Sequence, residues 1–332
     1  MKARFASSRL FLVCALVLAL TAAHRARAQD LVPWRQGAVT PKGDAGFWWM
    51  AAEGGFAKQQ GLDLKMRAFD SDIRMVDALR AGELDALEGN PATPMIATSK
   101  GGDLKILGCT WPKLTYSFFA RPELGSLADL KGKTIGISAP GALPDLVARA
   151  MLARIDINPR EVKFVDAGND AERIRAIAAK TIDAAVSTSD FVARRDLGLK
   201  SLAYANDILP SFLRACIVTR GDTWRKRPDD LVRLLAATMN GYAYALTHRA
   251  ETVALARRIA RLHPTDPTPE ANFDEVTRNR SVSPTLDIDM TKFLWLRDLL
   301  AEEGRLDSDY EPGTMIDRSI REMALARAKD AP

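Results

Sequence analysis

Few side chains in this sequence can do covalent or metal chemistry. Beyond residue 28 the chain keeps two histidines, His248 and His263, and two cysteines, Cys109 and Cys216. A disulfide scaffold needs more cysteines, and a zinc site needs ligands at close spacing. No nucleophile elbow, phosphate loop or paired-glycine dinucleotide fingerprint is present. No catalytic residue, metal or cofactor is therefore expected. What remains is binding chemistry, built from polar residues at the ends of short apolar runs. Ser71 and Asp72 follow one run, and Asn90, Pro91 and Thr93 follow another. Ser187, Thr188 and Asp190 follow a third, and Gly141 and Ala142 open a helical pattern. Trp48 and Trp111 add flat apolar walls. A few placed polar groups among aromatic walls are the usual furniture of a small-molecule site.

These residues must be positioned by alternating strands and helices. Strand patterns fall at 62–69, 85–88, 105–111 and 116–120, with helical patterns at 47–53, 73–81 and 91–100. Gly61 and Gly82 sit where a helix ends in the left-handed region, and Pro91 and Pro94 sit where a first turn tolerates proline. The alternation restarts with strands at 134–138, 162–165 and 184–186 and helices at 142–155, 171–179 and 190–196. Such alternation implies parallel sheets covered by helices. The two stretches also repeat each other. Leu79, Leu84, Asp85, Ala86 and Asn90 correspond at one offset to Ile177, Ile182, Asp183, Ala184 and Thr188. Two similar lobes account for this more simply than chance likeness of generic units. A strand at 216–219 then precedes helical patterns at 228–246, 250–262, 289–303 and 315–329, read mostly as cover for the first lobe.

In open α/β sheets ligands sit beyond the carboxyl ends of the strands, beside helix N-termini. The backbone amides of Gly141 and Ala142 are then candidates for a polar or anionic group, or else an ordinary Pro-Gly turn. Asn90 and Thr188 face each other by the repeat, as ligand contacts, helix caps or both. Asp72 reads first as a cap and second as a contact. Trp48 is preferred over Trp49 for the cleft, and Trp111 is open between cleft and core. Arg214 is either a receptor for a ligand anion or a surface ion pair. Asp44, Asp72, Glu88 and Asp190 argue against an anion if they line the cleft.

Residues 1–28 carry a basic start, an apolar run over 10–20 and an Ala26-Arg27-Ala28 ending, the pattern of a secretory signal peptide cut after Ala28. Phe11-Leu12-Val13 before Cys14 is wrong for lipidation. The segment's five basic residues are the whole excess of 47 Lys and Arg over 42 Asp and Glu. The remaining chain is neutral, so the basic pI makes no case for nucleic acid.

Three segments resemble one family. Glu53-Gly54-Gly55-Phe56-Ala57-Lys58-Gln59-Gln60-Gly61-Leu62-Asp63-Leu64 is similar to the E-K-G-F-F-x-x-x-G-L-x-V step of NitT/TauT-type substrate-binding proteins, the nitrate, taurine and alkanesulfonate binders with their SsuA-like and NMT1/THI5-like relatives. Ala78-Leu79-Arg80-Ala81-Gly82-Glu83-Leu84-Asp85-Ala86 and Ser126-Leu127-Ala128-Asp129-Leu130-Lys131-Gly132-Lys133-Thr134-Ile135-Gly136 resemble two further steps. The resemblance implies an α/β, type II periplasmic binding protein fold, two βαβ-type lobes joined by a two-strand hinge. Residues 29–120 plus 215–332 would form lobe 1 and residues 121–214 lobe 2, with crossovers near 118–121 and 213–216. It also implies a monomeric periplasmic protein that hands a small-molecule ligand to a membrane permease of an ABC transporter with its cytoplasmic ATPase, and no enzyme activity. The alternatives are a thiamine-precursor (pyrimidine) synthase-like enzyme and a ligand-sensing partner of a membrane receptor. The Ser138-Ala139-Pro140-Gly141-Ala142-Leu143 loop departs from the family, which often places Gly and a hydroxyl there. Cys109 and Cys216 lie in apolar runs and are expected as free core thiols, the alternative being a disulfide between neighbouring strands near the hinge.

Overall fold

Ten strands form two five-stranded sheets in the computed structural model, which describes residues 31–329. The expected signal peptide, Cys14 and the cut after Ala28 lie outside the described residues. The strands are β1 (Val32–Val39), β2 (Leu62–Phe69), β3 (Ala86–Gly89), β4 (Leu104–Trp111) and β5 (Tyr116–Ala120). They continue with β6 (Thr134–Ile137), β7 (Lys163–Asp166), β8 (Ala184–Thr188), β9 (Lys200–Tyr204) and β10 (Ala215–Arg220). The first sheet runs β2-β1-β3-β10-β4 and the second β7-β6-β8-β5-β9. In each, three parallel strands are followed by an antiparallel strand that has just arrived from the other sheet. This is the two-lobed fold of periplasmic binding proteins.

The repeated Asp-Ala step has a physical reason. Asp85 accepts the Arg35 amide of β1 at 2.8 Å, and Asp183 accepts the Thr134 amide of β6 at 2.8 Å. Each aspartate ties the start of its lobe's third strand to the neighbouring first strand. Arg35 and Arg227 neutralise Asp85, and Arg121 neutralises Asp183. Gly61 and Gly82, each at φ 78°, end their helices as expected.

Several expectations need correction. β5 pairs with β8 and β9, so the first crossover is at 112–115 and not near 118–121. A strand reading of 116–120 cannot say which sheet it joins. The helix Thr268–Asn279 and the strand β9 escaped notice. The helix has only Phe273 and Val276 as large apolar residues on its buried side, and β9 is a short, half-exposed edge strand. The helix Met290–Glu302 is more than cover for the first lobe. Lys292 donates to the carbonyls of Pro112 and Pro210 on the two crossovers, and Phe212 packs on Trp295. Just beyond, Arg305 reaches Asp145 of the second lobe.

The largest correction concerns the cysteines. Cys109 in β4 and Cys216 in β10 are joined as a disulfide and are not free thiols. Their strands are antiparallel neighbours in the first sheet, with register shifts around Ile217. Adjacent buried strands bring two cysteines together as readily as they bury them apart.

Candidate functional site

The loops at the carboxyl ends of the strands meet between the sheets. From the first lobe come the turn after β1, carrying Lys42, Gly43 and Asp44, and the turn after β2, carrying Ser71 and Asp72. From the second come the starts of the helices Leu143–Ala153 and Asp170–Ala178, and the turn after β8, carrying Ser189 and Asp190. Between them lies a buried ionic cluster. Lys42 Nζ is 3.7 Å from Asp44 and 3.5 Å from Asp170, the latter across the lobes. Arg214 pairs with Asp44 and donates to Thr115 Oγ1 at 2.5 Å. Arg173 spends its guanidinium on Asp170 at 2.6 Å and on the carbonyls of Val186 and Gly168.

Two cavities flank the cluster, and Tyr116 borders both. One, of 220 Å³, is lined by Thr40, Lys42, Ser71, Asp72, Ser138 and Asp170 among others. The second, of 750 Å³, is lined by Ser189, Asp190, Tyr204, Glu275 and Arg278 among others. Ser189 donates to Glu275 at 2.5 and 2.7 Å, another contact between the lobes.

The electrostatics follow from burial. Desolvation works against a charged Lys42, yet the Asp44 and Asp170 carboxylates outweigh it and its pKa rises. Desolvation likewise opposes Asp170, where Arg173 and Lys42 win and the pKa falls. At Asp190 the same rescue is too weak. Burial first, and the Asp44 carboxylate second, push it up to about 8. Neither carboxylate oxygen meets hydrogen-bond geometry with a partner among the described residues; the nearby Thr188 hydroxyl and Lys42 pull the other way without offsetting burial.

Asp190 should therefore cost the ligand-free protein stability. Its folded pKa lies above the unfolded value, so the unfolded chain releases the proton first as pH rises. The cost is absent below about pH 4, grows through neutrality and is complete above about pH 8. Asp190→Asn should match the parent near pH 4 and exceed its stability by about 2–4 kcal/mol at pH 8. Urea unfolding at both pH values measures this, and an equal effect at both would refute it.

The sequence-derived candidates divide into groups. Ser71, Asp72 and Asp190 line the cavities. Ser71, not Asp72, caps the helix Asp72–Arg80, through the Ile73 amide at 3.2 Å. Asp72 accepts the Asn90 amide at 3.1 Å and faces the Leu143 amide of the other lobe; burial raises its pKa against those two bonds. Ser187 and Thr188 are buried beside Asp170, which accepts the Thr188 amide at 3.2 Å. Asn90 is fully employed: its Nδ2 holds the Leu213 carbonyl at 3.1 Å and its Oδ1 takes the Ala92 amide at 2.9 Å. Neither Asn90, Pro91 nor Thr93 borders the two cavities.

Gly141 and Ala142 do not offer free amides. The Gly141 amide is bonded to Asp145 at 2.7 Å and the Ala142 amide to the Ala139 carbonyl at 3.1 Å. Trp48 and Trp111 are core residues, not cleft walls. They stack at 5.5 Å, and Trp111 Nε1 donates to Tyr242 at 2.8 Å. Together with Tyr116 they enclose Arg214, whose guanidinium carbon lies 4.2 Å from the Trp111 ring centroid. Arg214 is accordingly neither a surface pair nor a free anion receptor. Lys42, Asp170, Arg173 and Glu275 were missed. Only Lys42 had a visible signal, in the Pro41-Lys42-Gly43-Asp44 turn.

The sequence profile of the NMT1/THI5-like family matches residues 44–252. The chain belongs to this family. No curated protein sequence matches it. Among solved structures, the periplasmic nitrate-binding protein NrtA from Synechocystis PCC 6803 is similar at a TM-score of 0.75 and 14% identity, over 92% of this chain and 91% of that one. The alkanesulfonate-binding protein SsuA from Xanthomonas axonopodis pv. citri, bound to MOPS, gives 0.72 and 16%, over 88% and 100%. The ligand-binding component of an ABC-type import system from Staphylococcus aureus, with zinc bound, gives 0.72 and 15%, over 91% and 99%. At these identities the likeness shows the fold. The NMT1/THI5-like match and the fold agree with the resemblance carried by residues 53–64, 78–86 and 126–136.

Proposed function

We propose that this NMT1/THI5-like protein is the solute-binding component of an ABC importer, exported to the periplasm. It holds a small molecule between its lobes and passes it unchanged, as a monomer, to a membrane permease driven by a cytoplasmic ATPase. The lobes are built on the two sheets, residues 31–111 with 215–329 and residues 116–204, hinged at 112–115 and 205–214. The observation that carries this reading is the ionic contact across the cleft, Lys42 of the first lobe on Asp170 of the second. Such contacts exist only when the lobes are shut. A ligand touching both sides then stabilises the closed state, which is the differential affinity that closure requires. Neither cavity is lined by a histidine or a cysteine, so no thiol–imidazole pair serves an enzyme reading there.

The test is small-angle scattering on the intact protein, with compounds that raise its melting temperature in a screen of amines, amidines, sulfonates, carboxylates and nitrate. A saturating compound should reduce the radius of gyration and be recovered chemically intact. Lys42→Ala should weaken both the binding and the contraction. An unchanged radius at saturation, or a converted compound, would overturn the reading.

A further inference from the structure

Within the cleft, every buried cation among the described residues is already spoken for. Lys42 is shared by Asp44 and Asp170, and Arg173 is bonded to Asp170 and two carbonyls. Arg214 is paired with Asp44 and Thr115 and enclosed by three aromatic rings. The helix start that would greet an anion is closed as well. Its Leu143 amide faces the Asp72 carboxylate, and its Gly141 amide is taken by Asp145. An anion entering here meets no free buried donor among these groups.

The opposite need is unmet. Asp190 is 2% exposed, borders the 750 Å³ cavity and has neither carboxylate oxygen bonded. A Cβ on Gly43 would collide with that carboxylate, so glycine permits the approach of the first lobe's turn to Asp190. Beside it, on the helix Thr268–Asn279, Glu275 is held by the Ser189 hydroxyl, and the buried Asn272 amide group is unpartnered too. A buried acceptor without a donor is a standing penalty, and a ligand that brings donors removes it. The cavity rim carries exposed Arg195, Arg278 and Arg280, where an acidic tail is tolerated.

We propose that this cleft selects an organic cation, a small molecule whose ammonium or amidinium group donates to Asp190, with Glu275 as the neighbouring acceptor. The proposal rests on the clamp reading and gives it a ligand class.

A pH signature follows. Asp190 faces Asp44 and Lys42 from the turn after β1, Glu275 from the helix Thr268–Asn279 and Tyr116 from β5, with Arg195 on its own segment. It keeps its proton up to about pH 8 in the free protein. Cation binding expels that proton, so affinity should rise by about tenfold per pH unit between pH 6 and 8.

Matched pairs test the idea by calorimetry on the intact protein: taurine against isethionate, and benzamidine against benzamide. The member that carries the ammonium or amidinium group should bind roughly thirtyfold more tightly or better at pH 8, with the pH slope above. Asp190→Asn, checked for folding by its raised stability, should abolish both preference and slope. Equal binding within the pairs, no binding by either taurine or benzamidine, or a preference that survives Asp190→Asn would overturn the proposal. Contraction with isethionate or nitrate would sink it while leaving the clamp intact. A cation that binds through Asp190 without contraction would do the reverse.

Discussion

Replacing Arg214 with methionine should destabilise the protein by about 3–5 kcal/mol. Arg214 is 2% exposed and pairs with Asp44, which is 1% exposed. Burial works against its charge, but the Asp44 carboxylate leads the groups that more than offset it, and its pKa is raised. Methionine keeps much of the stem's volume and removes the charge. Asp44 is then left buried with Lys42 alone at 3.7 Å, and Trp48, Trp111 and Tyr116 lose the cation at their centre. The double variant Arg214→Met with Asp44→Asn should recover part of the loss, because removing both partners of a buried pair costs less than orphaning one. Urea unfolding at pH 7 supplies the comparison. A single-variant loss below about 1 kcal/mol would mean that the pair is hydrated and the cleft centre wet.

That pair also shows where sequence reading stops. β2 and β5 could be delimited to the residue because Gly61 and Asp70 bracket the one and Thr115 and Arg121 the other, and the repeat around Asp85 and Asp183 was visible because one local device recurs. Local patterns carry local structure. The site is different: it is assembled from the Lys42-Gly43-Asp44 turn, Asp170, Asp190 and Arg214, which come from separate stretches of the chain and meet only when the lobes do. The sequence prefers Trp48 for the cleft and leaves Trp111 open because aromatic residues suit either place, and only the packing of Arg214 between them decides for the core. Gly141 and Ala142 are open between a cradle for a polar or anionic group and a plain Pro-Gly turn, because a helix start offers amides. What the pattern hid was Asp145, four residues on, folding back to occupy one of them. A helix N-terminus marks a donor in sequence, and only the fold shows whether the protein fills it itself.

Reducing the Cys109–Cys216 disulfide should lower the unfolding free energy by about 2–5 kcal/mol. The two cysteines are 107 residues apart, and the loop they close contains the whole of the second sheet. Cross-linking so long a loop removes much of the unfolded chain's freedom, by roughly 4–5 kcal/mol in the chain-entropy treatment. The position adds a second consequence. Cys109 precedes the crossover at 112–115, and Cys216 follows the return at 205–214, so the bond clamps both hinge segments where they leave the first sheet. The second lobe should therefore stay attached to an intact first sheet while it swings. In the Cys109→Ala, Cys216→Ala double variant the melting temperature should fall by several degrees. Amide exchange should quicken most in β4 and β10, whose pairing the bond pins, and less in β6 and β7. Thiol counting on denatured, unreduced protein is the direct check, with no reactive thiol expected from these two residues. Two free thiols, or a double variant as stable as the parent, would return Cys109 and Cys216 to the role of ordinary core residues.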